Sequence, residues 1–107
     1  MSETLRDIVH LVGEGQIRIS AHGYDELAAD NIFVRDVVAG TATAILVEDY
    51  PEYHKGPAVL VLQFDDEGRP IHIVWGIPKG KASPAVLVTA YRPDPARWSS
   101  DFMRRKS

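Results

Sequence analysis

The chain opens with apolar side chains at helical spacing. Leu5, Ile8, Val9 and Val12 fall at i, i+3, i+4 and i+7, the stripe of an amphipathic helix, with Ser2 where a cap belongs and Gly13 and Gly15 where the helix stops. Residues 16–20 alternate polar and apolar, as a short half-buried strand does. Ser20 is placed to cap a second helix through His22, Leu27 and Ala28, and Asn31 suits its left-handed end. After Ile32 and Phe33, a brief third helix carries Val34, Val37 and Val38 and ends at Gly40.

Beyond Ala42 the period changes to that of strands. Four aliphatic and β-branched runs, 43–50, 58–64, 71–77 and 85–91, are separated by turn-forming segments rich in Pro, Gly, Asp and Lys. Each link is shorter than the roughly dozen residues of a parallel crossover, so successive strands are expected to pair antiparallel. The predicted fold is α+β, with N-terminal helices packed on one face of an antiparallel four- to five-stranded meander sheet. Runs 58–62 and 86–88 are apolar on both alternations and belong at central positions. Ile71, Ile73 and Trp75 share one alternation and should face the helices, which turns His72 and Val74 to the other side. In the tail, 93–107, Trp98 and Phe102 stand at i, i+4 and predict a docked last turn of helix, with residues 104–106 in water.

Composition fits one soluble domain: of 107 residues, 45% are hydrophobic and 25% charged. The expected core spans about 3–92. With no cysteine, disulfide scaffolds and thiolate metal sites are excluded. No run approaches the ~20 apolar residues of a membrane span, and the start Ser2-Glu3-Thr4 lacks the positive region of a secretory signal, so a cytoplasmic protein without a membrane partner is expected. The net charge of −3 conceals an asymmetry. Residues 1–50 hold three basic and nine acidic side chains, whereas residues 69–107 hold eight basic and two acidic ones. Any affinity for nucleic acid should therefore reside in the C-terminal part.

Histidine is the side chain that changes charge near neutral pH, so its positions are the first candidates for chemistry. His10 lies off the apolar stripe of the first helix. His22 sits where a strand turns into a helix, a place whose free backbone N–H groups suit anions; its bland role is to fasten the helix start. His72 occupies the sheet face away from the helices, and Tyr91 and Arg92 end the last strand, where pockets form; their bland roles are cross-strand bonding, rim packing and a surface ion pair. Tyr53 and His54 lie in a connection rich in hydrogen-bonding groups, and Lys79 and Lys81 flank Gly80 in another that could hold phosphate. No ligand spacing such as HExxH supports a metal, no Walker or Rossmann pattern is present, and no Gly-x-Ser-x-Gly marks a serine nucleophile. No cofactor is called for.

The run Ile19-Ser20-Ala21-His22, the following short helix with Asn31-Ile32 and Asp36-Val37, and the closing Val88-Thr89-Ala90-Tyr91 resemble the bacterial domain-of-unknown-function 4258 family across roughly residues 16–92. Ser20, His22, Thr89 and Tyr91 match the family's pattern; Glu26-Leu27 stands where the resemblance would place an Arg-Met pair. The family's layout is similar in turn to the small RelE- and BrnT-like toxins. That resemblance implies an antitoxin-like protein partner and metal-independent cleavage of RNA, in which a base takes the 2′-OH proton, a cation stabilises the phosphorane and an acid protonates the leaving oxygen. His22 or His72, Arg92 with Lys79, and Tyr91 are the candidates for those roles. The competing expectation is a non-catalytic module that binds a protein or a small ligand on the same scaffold.

Overall fold

Helix α1 (Glu3–Gly13) starts where the Ser2 hydroxyl turns back to accept the Leu5 N–H at 3.1 Å. A computed structural model of the chain describes residues 2–106. The helix buries Ile8, Leu11 and Val12, so its contact stripe includes Leu11, and Val9 is only half-buried. Strand β1 (Ile17–Ile19) leads into α2 (Ala21–Ala29), whose cap Ser20 does two things. Its Oγ accepts the Gly23 N–H at 2.9 Å and donates to the Val88 carbonyl at 3.0 Å, which ties the helix start to the last strand. Asn31, with φ 57°, closes α2 in the left-handed region, and the Ile32 N–H returns to the Leu27 carbonyl at 2.9 Å. Helix α3 (Val34–Gly40) and one 3-10 turn (Thr41–Thr43) complete the helical part.

Four strands follow: β2 (Ile45–Tyr50), β3 (Ala58–Phe64), β4 (Pro70–Gly76) and β5 (Ala85–Tyr91). The sheet order is β1-β5-β4-β3-β2, so the two strands that are apolar on both faces, β3 and β5, are interior. The four form the expected antiparallel meander. The sheet as a whole is mixed, however, because β1 adds to the free edge of β5 in parallel, Ile17 opposite Ala85 and Ile19 opposite Leu87. This corrects the purely antiparallel expectation. Short links constrain only neighbours in sequence; β1 and β5 are joined through the whole intervening chain, where either direction is open.

The helices cover one face. Ile71, Ile73 and Trp75 are fully buried there, together with Val59, Val61, Leu87 and Ala90, against Ile8, Leu27 and Val37. The one amide in this layer is satisfied: Gln63 donates to the Val37 carbonyl at 2.8 Å and accepts the Trp75 indole N–H at 3.4 Å. On the other face, the register lines side chains into rows across the strands. One row runs Tyr50, Ala58, Gly76, Val86, Arg18; another, two residue pairs further along, runs Ile45, Leu62, His72, Tyr91.

The tail covers part of this second face without forming a helix, which corrects the expectation drawn from Trp98 and Phe102. Asp94 accepts the Ala96 N–H at 2.8 Å, Asp101 accepts the Met103 N–H at 3.1 Å, and Phe102 takes φ 62°, so turns replace a helix. The segment folds back on itself, with the Ser99 N–H on the Arg104 carbonyl and the Lys106 N–H on the Arg97 carbonyl, each at 2.8 Å. Trp98 is buried as expected of a docking residue. Arg104, Arg105 and Lys106 are exposed, as expected, and Arg105 also reaches Glu48. Among the described residues no helix is long and apolar enough to cross a membrane.

Candidate functional site

Where β5 ends and the tail begins, a cavity of about 600 Å³ opens on the second face. Tyr91 and Trp98 give it aromatic surface, Arg92, Arg97, Arg105 and Lys106 give it four cations, and Asp94 is the one carboxylate of its lining among the described residues. Four of the eight basic residues counted in 69–107 converge here. The strand brings Tyr91 and Arg92; the folded-back tail brings the rest.

Under the cavity lies His72, fully buried. Its Nε2 lies 2.9 Å from the Phe102 carbonyl oxygen, which only accepts, so Nε2 carries the proton and donates. Nδ1 is then an acceptor, and it lies 3.1 Å from the Tyr91 hydroxyl, which donates to it. Trp98 packs edge-on against the same imidazole at 4.4 Å, and Arg105 lies over the Trp98 ring at 4.8 Å. Burial pushes the His72 pKa down and outweighs the Phe102 carbonyl, which acts the other way; burial also pushes the Tyr91 phenol up. At neutral pH the pair is therefore a neutral imidazole beside a protonated phenol. Arg105 donates to both oxygens of Glu48 on β2, at 2.9 and 3.2 Å, and Glu48 also accepts from Tyr50. The Arg105 hydrogen bond holds the Glu48 carboxyl below the usual range despite partial burial.

Arg92 is drawn toward structure as well as toward the cavity. Its guanidinium meets buried Asp65 at 2.9 Å, and its N–H is held by Asp30 at the end of α2, at 2.8 Å. Burial opposes ionisation of Asp65, but the N–H groups of Arg69 and Glu67, with Arg92, outweigh it and keep that pKa low.

The sequence-derived candidates are thus divided among three places. His72, Tyr91 and Arg92 lie together at the end of β5. His22 lies on α2, 64% of its side chain exposed, with Glu26 at 3.7 Å as its one ionic neighbour among the described residues and no hydrogen bond to His72 or Tyr91. Tyr53, His54, Lys79 and Lys81 belong to the connections at the opposite end of the sheet, where the Lys79 N–H meets the Lys55 carbonyl. His72 does not stand on an empty face, since the tail covers it. Sequence reasoning placed nucleic-acid affinity in the basic C-terminal part without singling out Arg97, Trp98 and Arg105 as a site with Tyr91. The run of basic groups after residue 91 next to a tryptophan was the signal for them. Among the described residues, no group of three or more His, Asp or Glu side chains is placed to hold a metal ion.

No curated protein and no solved structure matches the chain. The region that holds α2, α3 and strands β2 to β5, residues 19–92, matches the family model described as a domain of unknown function, DUF4258, and the chain belongs to that family.

Proposed function

We propose that the Tyr91 cavity binds RNA and that the protein is a toxin-like, metal-independent endoribonuclease of RelE/BrnT type, working in the cytoplasm and held in check by an antitoxin-like partner. The observation that carries this reading is the convergence of four cations on a cavity with two aromatic side chains. Cations neutralise phosphate, and Tyr91 and Trp98 offer rings on which bases stack. Arg97, Arg105 and Lys106 would hold the scissile phosphate and stabilise the charge that develops on it. The 2′-oxygen attacks phosphorus, Asp94 accepts its proton, and Tyr91, kept protonated by burial, turns its O–H from His72 to the substrate and protonates the leaving 5′-oxygen. The products are a 2′,3′-cyclic phosphate and a 5′-hydroxyl end. His72 acts in this scheme as a positioning residue that fixes the phenol.

A non-catalytic binding module on the same scaffold is the second reading. It is favoured by the state of His72, both of whose ring nitrogens are engaged, and by the place of exposed His22 outside the lining of the cavity. Fluorescence polarisation and gel analysis of an end-labelled single-stranded RNA, with wild type and Tyr91→Phe, decide between them. Salt-dependent binding with cleavage that Tyr91→Phe abolishes supports the ribonuclease. Binding without cleavage supports the module, and no binding at low salt removes RNA from both.

A further inference from the structure

The second cavity of the sheet face, about 530 Å³, lies at the opposite end of the strands from Tyr91. Its floor follows from the register: on the row Tyr50, Ala58, Gly76, Val86, Arg18, the three interior strands contribute only small or short side chains. An aromatic ring stands at one end of the row and a guanidinium at the other. A Cβ built on Gly76 would meet Ala58 and Val88 at 3.9 and 3.7 Å, both of which line the cavity, so this glycine keeps the floor low. Tyr53 and Lys55 complete the rim. Two observations set the ligand's chemistry. The lining is mainly apolar, and its two charged side chains, Arg18 and Lys55, are both positive. Neither has an ion-pair partner among the described residues.

From this geometry we infer that the trough floored by Ala58, Gly76 and Val86 is a binding site for a small aromatic carboxylate, its flat apolar body lying on the floor beside Tyr50 and its carboxylate reaching Arg18. Volume agrees, since cavities of about 300–1,000 Å³ suit small organic ligands. A sheet floor with little side-chain relief offers a plane, which favours a flat body over a branched one. The Arg18 guanidinium selects an acid over its neutral counterpart, because a charge-assisted contact to it is lost when the carboxylate is replaced. This site is separate from the one proposed for RNA. His72 and Gly76 lie four residues apart on β4, about 13 Å at ~3.3 Å per residue, so the failure of either reading leaves the other standing.

The test uses 2-naphthoate and, as its neutral counterpart, 2-naphthalenemethanol, titrated into the ¹⁵N-labelled full chain. Saturable amide shifts are expected at Gly56, Gly76 and Val88, with the acid binding about tenfold more tightly than the alcohol, the scale of one charge-assisted contact. In Arg18→Gln, a change at an exposed position, that preference should vanish while the alcohol still binds. Gly76→Leu, if its spectrum is native, should bind neither; if it does not fold, the Arg18→Gln comparison decides alone. The inference is overturned by shifts confined to the Tyr91 cavity, by equal binding of acid and alcohol to wild type, or by undiminished binding to a folded Gly76→Leu.

Discussion

Tyr91 donates its hydroxyl proton to Nδ1 of His72 across 3.1 Å, in a bond whose direction is set from the far side of the imidazole by the Phe102 carbonyl. Strand and tail therefore share one histidine, and its ionisation tests the arrangement. Protonation would turn Nδ1 into a second donor facing a phenol and place a charge where burial disfavours it. The folded pKa lies below the ordinary 6.5. The unfolded chain thus binds the proton more readily, and stability is full above that value. It should decline as pH falls from 6.5 toward the folded pKa, by at most about 1.4 kcal/mol per pH unit. Urea unfolding at several pH values checks this. The slope between pH 6.5 and 5.5 should disappear in His72→Gln, because the lowered carboxylates Glu48 and Asp65 titrate at more acidic pH.

Trp75→Ala should cost ~3–5 kcal/mol, since the indole is completely buried between sheet and helices and its removal also leaves the Gln63 carbonyl without a partner. A loss under about 1 kcal/mol in chemical denaturation would contradict the packing described for that face.

Trp98→Ala should loosen the tail at a cost of about 3 kcal/mol, through lost burial against His72. By contrast, Arg105→Ala should cost no more than about 1 kcal/mol, because its ion pair with Glu48 is largely exposed. Amide hydrogen exchange across residues 94–106 distinguishes the two: protection should collapse in the tryptophan variant and persist in the arginine one.

His22→Gln should leave the unfolding free energy within about 0.5 kcal/mol, the usual range for an exposed position away from packed contacts. If RNA is cleaved at the Tyr91 cavity, that activity should also survive. Loss of cleavage in a stable His22→Gln would move the chemistry to α2.

RNA affinity should fall in Arg97→Ala/Lys106→Ala, with the slope of log affinity against log salt reduced by about 1.4–1.8 for two phosphate contacts. Lys79→Ala/Lys81→Ala, at the other end of the sheet, should leave that slope unchanged. Polarisation titrations between low and moderate salt compare the pairs, and equal effects would mean diffuse rather than local binding.

The helices and strands were legible because each has a strong period and clear punctuation. Ser2 and Ser20 cap as their positions implied, and Ile71, Ile73 and Trp75 point as their alternation implied. What escaped was long-range or turn-built. The three-residue β1 carries no mark of its partner, since Ile17 and Ile19 suit the edge of any strand. The i, i+4 spacing of Trp98 and Phe102 fits a helix, yet Pro93 and Pro95 and the side-chain acceptors Asp94 and Asp101 favour turns there. The division of the candidate residues comes from the meander itself: alternate connections fall at opposite ends of a sheet, so Lys79 and Tyr91, twelve residues apart, end up a strand's length from each other.

The family match stops at residue 92, yet the cavity beside Tyr91 takes most of its charge from residues after that point. The matched region supplies the sheet with Tyr91, Arg92 and the His72 beneath them, and the segment after it supplies Arg97, Arg105 and Lys106. Ligand preference in such an arrangement can change by exchanging a dozen residues without disturbing the sheet. A relative with the same strands and a different continuation would then carry a different site, and the ligand of one member cannot be transferred to another without comparing the segments beyond their last strands.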